Sequence, residues 1–111
     1  MVYVPQRGDI IFIDLPEEAG HEIRGRRPAF VLSPSKYNAK VGLVIVCPIT
    51  NQIKGYPFEV TIPPGHSVTG VILVDQLRSI DWNARNAEYE CHLQEDTITD
   101  VLDKLATLLW E

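Results

Sequence analysis

Residues 28–50 read PAFVLSPSKYNAKVGLVIVCPIT. Pro28 to Ser33 and Leu43 to Thr50 are rich in β-branched and apolar residues, and Pro28 and Pro34 bracket the first run, so both read as strands. Antiparallel pairing of the two, closed by a loop from Ser35 to Gly42, sets Pro34 against Leu43. Along that register Arg27 lies opposite Thr50, with Cα atoms about 4.5 to 5.5 Å apart. A guanidinium and a hydroxyl then share one rim of a sheet, and a slip of two residues leaves both there. Geometry alone leaves two readings open: a cation and a hydroxyl placed for chemistry, or an arginine that ends a strand beside a threonine that satisfies a turn.

Outward from this hairpin, Asp9 to Leu15 (DIIFIDL) is a further strand that stops before Pro16. Between it and the hairpin lies Pro16 to Arg27, polar and carrying Gly20 and Gly25, which is long for a turn and marks a functional loop candidate. Pro57 to Ile62, Val71 to Asp75, Leu77 to Ile80 and Ala87 to His92 are shorter strands, separated by Lys54-Gly55, Pro63-Pro64-Gly65 and Trp82-Asn83. Short strands at this spacing predict an antiparallel barrel or sandwich. The period then changes. Ile98, Val101, Leu102, Leu105, Leu108 and Leu109 recur at three- and four-residue steps, with Glu95, Asp96, Asp100 and Asp103 on the opposite face or at the N-terminal end of the dipole. The expected fold is mostly β with a C-terminal α-helix packed on a curled sheet, one domain over residues 1–111.

A chain of 111 residues builds one core, and no apolar run approaches the ~20 residues that span a bilayer. The N-terminus shows no secretory signal, so a cytoplasmic location without membrane attachment is expected. Cys47 and Cys91 read as ordinary thiols. The net charge of −5 argues at first against nucleic acid, but it is unevenly spread. Residues 1–85 hold nine cations against eight anions, and residues 86–111 hold only Lys104 against seven anions. An acidic back with a locally basic front is compatible with RNA, and equally with a solvated acidic helix face.

His21, His66 and His92 lie far apart without metal-ligand spacing, and Cys91 and His92 alternate across a strand, so no metal site and no cofactor are expected. There is no Walker A loop, dinucleotide fingerprint or nucleophile elbow.

Four ordered blocks carry a further signal: Gly8-Asp9-Ile10-Ile11-Phe12-Ile13-Asp14, Gly25 to Pro34 (GRRPAFVLSP), Pro48-Ile49-Thr50 with Lys54 to Val60 (KGYPFEV), and Asp75 to Trp82 (DQLRSIDW). In order and spacing the chain resembles the MazF/PemK family of toxins from Gly8 to Trp82, and the C-terminal helix matches in kind. The resemblance implies an SH3-like barrel of the CcdB/PemK type and a homodimer. It also implies metal-independent, sequence-selective cleavage of single-stranded RNA but not DNA, and restraint by a cognate antitoxin with an acidic disordered segment. It carries the key arginine onto Arg27, before the proline, and the key threonine onto Thr50.

The plasmid-borne branch uses a Gly-His-Glu histidine as base and an Asp-Gln aspartate with a nearby arginine; this chain keeps Gly20-His21-Glu22 and Asp75-Gln76 but has Leu73 where that arginine would stand. The implied catalytic set is therefore Arg27, Thr50 and His21, whose ordinary pKa suits proton transfer. Arg24, Arg26, Lys54, Asp75, Gln76 and Arg78 are the expected RNA contacts, and Tyr56, Phe58 and Trp82 are either base-stacking surfaces or core. The competing classes are a same-fold toxin that binds a protein such as gyrase, and a non-catalytic interaction module.

Overall fold

The computed structural model describes residues 2–16 and 25–110. The described residues form seven strands and two α-helices: β1 Asp9–Leu15, β2 Gly25–Val31, α1 Ser35–Val41, β3 Leu43–Thr50, β4 Glu59–Thr61, β5 Val71–Leu73, β6 Arg78–Asp81, β7 Glu88–His92 and α2 Glu95–Leu109. A 3-10 turn, Val74–Gln76, joins β5 to β6.

All pairings are antiparallel, in the order β4-β5-β3-β2-β1-β7, with β6 also on β3. One edge of β3 meets β2 and the other is shared: β6 pairs Leu43 to Val46, and β5 pairs Ile49 and Thr50. That change of partner curls the sheet without closing it and puts the 3-10 turn beside the end of β3. Alternation in β1 feeds both faces, with Ile10 and Phe12 in a cluster that includes Phe30, Ile49, Ile72 and Val101, and Ile11, Ile13 and Leu15 in one that includes Ala29, Val46 and Ile80. Because both faces are covered, this strand reads as a nearly unbroken apolar run.

One expectation needs correction. The segment after Pro34 is a helix, not a loop, although it lacks an apolar stripe. The fully buried Asn38 holds it: its Nδ2 donates to the carbonyls of Pro5 at 2.8 Å and Ser33 at 3.0 Å, and its Oδ1 accepts from the Ser33 hydroxyl at 2.6 Å. Gly42, at φ +81°, ends it in the left-handed conformation that glycine adopts without a steric penalty. In α2, Ile98, Val101, Leu102 and Leu105 pack on the core, while Leu108 and Leu109 stay exposed.

Candidate functional site

The β2–β3 register is the one expected: Ala29 faces Pro48, Phe30 faces Cys47 and Val31 faces Val46. Pro28 offers no N–H, and the ladder ends there. Continued by two residues, the same register sets Arg27 level with Thr50. Arg27 is exposed and its backbone pairs with Ile13 of β1, so it belongs to β2 and not to the preceding loop as its sequence suggested. Thr50 is half-buried, and its Oγ1 accepts the Gln52 N–H at 3.1 Å. Accepting with a lone pair leaves the hydroxyl proton to be donated elsewhere.

Gly70 sets the position of Thr50. At φ +115° it brings the chain so close that a Cβ there would lie 2.3 Å from the Thr50 carbonyl oxygen. Only glycine permits that approach.

Thr50 opens onto a recess of about 270 Å³ lined by Gln52, Lys54, Tyr56, Glu59, Leu73, Asp75 and Gln76 as well. Of the expected residues, Thr50, Lys54, Asp75 and Gln76 are thus brought together, while Arg27 is level with Thr50 on the neighbouring strand and is not part of the recess lining. The Tyr56 hydroxyl donates to Asp75 Oδ1 at 2.6 Å. Burial pushes the Tyr56 phenol up to about 12, aided by that hydrogen bond and by the charges of Asp75 and Glu59. It is protonated at neutral pH. Glu59 accepts two successive backbone N–H groups, Lys54 at 3.0 Å on Oε2 and Gly55 at 2.8 Å on Oε1. The side-chain oxygen of Gln76 is buried with no hydrogen-bond partner among the described residues. The recess therefore offers an ammonium and a hydroxyl proton beside two carboxylates, Asp75 held by Tyr56 and Glu59 held by backbone amides, which suits a ligand with both anionic and hydrogen-bonding parts.

Arg26 lies apart from it. It donates to Asp14 at 3.1 Å and pairs with Glu88, tying β2 to β1 and β7 on the opposite face from Arg27. The Asn86 amide and Arg26 hold the Asp14 carboxyl below its usual range. Arg78 is half-buried on β6 opposite Val46. His21 and Arg24 lie outside the described residues. Trp82 and Phe58 serve the core rather than a stacking surface, and Trp82 Nε1 donates to the Asn38 carbonyl at 2.9 Å. No three His, Cys, Asp or Glu groups among the described residues are arranged to hold a metal ion. No helix among them is long and apolar enough to cross a membrane.

The sequence reading did not single out Glu59 or Gly70. Glu59 sits inside the KGYPFEV block, but nothing in spacing distinguishes an exposed glutamate from one folded back onto amides five residues earlier. Gly70 follows polar residues and resembles any turn glycine until β5 is placed against β3.

Residues 6–109 match the family model described as PemK-like, MazF-like toxin of type II toxin-antitoxin system. The chain is 51% identical over 85 residues to the endoribonuclease toxin MazF of Escherichia coli strain K12, covering 77% of this chain and 76% of that protein. The crystal structure of MazF from Deinococcus radiodurans superimposes with a TM-score of 0.92 at 47% identity, covering 97% of this chain and 98% of that one. A MazE-MazF crystal structure from the same organism gives 0.86 at 44% identity, covering 97% of each.

Proposed function

The chain belongs to the PemK-like, MazF-like toxins of type II toxin-antitoxin systems, and from that membership we propose that it is an endoribonuclease that cuts single-stranded RNA at selected sequences without a metal ion. The observation that supports this reading best is the β2–β3 register, which, continued past the last pair, Ala29 and Pro48, brings Arg27 level with Thr50, a residue that lines the recess with Lys54, Asp75 and Gln76.

In this mechanism the 2′-hydroxyl attacks the adjacent phosphorus in line as its proton passes to a base. The bond from phosphorus to the 5′-oxygen breaks, and that oxygen takes up a proton. The products are a 2′,3′-cyclic phosphate and a 5′-hydroxyl, and a DNA strand, lacking the nucleophile, is not cut. A guanidinium already carries its proton and cannot act as the base, so Arg27 is assigned to the phosphate, where its planar fork grips two phosphoryl oxygens as charge builds on them. Thr50 donates its hydroxyl proton to the same phosphate. His21, within Gly20-His21-Glu22, is the proposed base. Lys54 and Gln76 bind the flanking RNA, and Asp75 supports the site.

MazE-MazF structures of the Deinococcus radiodurans relative support an antitoxin partner here too. We assign it an acidic segment, disordered alone, whose carboxylates take phosphate positions beside Arg27 and Lys54. We infer a homodimer in which a second copy covers an apolar recess of about 440 Å³ whose lining includes Leu32, Tyr37, Leu77, Leu102, Leu105 and Leu109. We infer a cytoplasmic site of action, where such an RNA substrate would be met.

Substitution at the two strand ends tests the assignment. Arg27→Ala is expected to stay folded, since an exposed side chain adds nothing to the core, yet to lose about a hundredfold or more in cleavage rate. Arg27→Lys restores little, because lysine keeps the charge without the fork. Thr50→Val costs less than Arg27→Ala and more than Thr50→Ser, which keeps a donor. A folded Arg27→Ala protein that cuts at the original rate overturns the assignment.

A further inference from the structure

We propose that Glu59 is a positioning residue for RNA binding: its carboxylate fixes the Lys54-Gly55 backbone so that the Lys54 ammonium faces the phosphate chain. The proposal rests on the RNA-cleaving reading above and extends it to a residue that touches no RNA.

A glutamate in a site for a polyanion is at first a liability, since its charge repels phosphate. Here both carboxylate oxygens are turned inward. One accepts the Lys54 N–H at 3.0 Å and the other the Gly55 N–H at 2.8 Å. Two successive amides converging on one anion form a small concave anion site, which the chain fills with its own carboxylate. Gly55, at φ +79°, supplies the left-handed residue that this curvature requires. The Glu59 N–H donates back to the Tyr56 carbonyl at 3.2 Å, and the Val74 N–H to the Phe58 carbonyl at 3.0 Å, so the loop is tied to the strand pair β4–β5. With Glu59 engaged by backbone, the Lys54 ammonium forms no ion pair among the described residues and lines the recess beside Thr50. Amide hydrogen bonds draw on the carboxylate charge that would otherwise pair with this lysine.

Positioning and simple electrostatics predict opposite signs. If Glu59 is only a surface charge, Glu59→Gln removes repulsion and RNA binds more tightly. If it positions Lys54, the neutral amide, with one carbonyl oxygen in place of two, releases an N–H and binding weakens. Glu59→Asp separates the effects further, because it keeps the charge but is too short to reach both amides.

The test uses a 2′-O-methylated copy of an RNA that the protein cuts, titrated against salt, with the wild type, Glu59→Gln, Glu59→Asp, Lys54→Ala and the double variant Lys54→Ala/Glu59→Gln. Lys54→Ala is expected to weaken binding and reduce the log–log salt slope by about 0.7, the share of one phosphate contact on a single strand. Both Glu59 variants should reduce the slope in the same direction, raise KM more than they lower kcat on cleavable RNA, and speed hydrogen exchange at the Lys54 and Gly55 amides. The double variant should bind no more weakly than Lys54→Ala alone. Tighter binding by Glu59→Gln, an unchanged slope in both Glu59 variants, or additive losses in the double variant overturns the proposal while Lys54→Ala still shows its effect. Wild-type binding with no salt dependence overturns instead the RNA reading on which it rests.

Discussion

Tyr56 orients the Asp75 carboxylate that lines the recess. Its phenol donates to Asp75 at 2.6 Å, and burial together with that carboxylate raises it from 10.0 to about 12. A phenol raised in this way stabilises the fold fully below pH 10.0, its ordinary value, and the contribution fades as pH climbs through about 12. Across the physiological range Tyr56 is therefore a constant donor, and Asp75 is oriented by a bond that does not titrate away. Replacing Asp75 with asparagine removes the charge, so the Tyr56 phenol should titrate nearer 10.0, read from the ring carbon beside the hydroxyl by NMR. An unchanged Tyr56 titration in folded Asp75→Asn would show that the pair is not coupled. That Thr50, Lys54, Asp75 and Gln76 lie near one another was legible in the sequence, because strand ends and ordered blocks fix them without knowledge of rotamers. Tyr56 was legible only as an aromatic. Its partner lies 19 residues on, across a turn whose 3-10 geometry no local pattern reveals. The engagement of Arg26 by Asp14 and Glu88 was hidden for the same reason, since it depends on β7 lying next to β1.

At the scale of elements, strands 9–15 and 43–50 were read to the residue, because each is apolar on both faces and bounded by proline, glycine or a polar run. The helix Ser35–Val41 was missed because its stability comes from the Asn38 network and from Trp82, which are contacts distant in sequence and leave no periodicity. The same dependence on distant partners governs the end of β3. Gly70 meets Thr50 so closely that Gly70→Ala must move one of the two strands, and L-residues are strained at φ +115° in any case. Gly70→Ala should lower stability by ~2 kcal/mol or more and reduce cleavage by the molecules that remain folded. Gly65→Ala is the control: φ there is +102°, but a Cβ would meet nothing within 4 Å. It should cost stability through backbone strain alone and leave cleavage per folded molecule unchanged. Equal specific activity in the two variants would mean that the close approach of Gly70 does not position Thr50.

At the scale of the molecule, the apolar surface not used by one chain points to a second. Leu77, Leu109 and Trp110 are 39%, 61% and 70% exposed, and with Tyr37 and Leu105 they border the apolar recess beside α2 or extend it along the last turn of that helix. Sedimentation at micromolar concentration should give a dimer, and Leu77→Glu should shift it toward monomer, since a carboxylate carried into an apolar contact loses its hydration. A wild-type monomer would remove the second copy from the account. The charge distribution was readable from sequence and agrees with this layout, because the C-terminal acids Glu95, Asp96, Asp100 and Asp103 sit on α2 rather than around the Thr50 recess. The most direct measurement of the central claim is incubation of the purified protein with a long single-stranded RNA in EDTA, followed by mapping of cut positions and end groups. Cuts at a short recurring sequence, leaving 2′,3′-cyclic phosphate and 5′-hydroxyl ends, are the expected result; intact RNA, or ends carrying a 5′-phosphate, would contradict it.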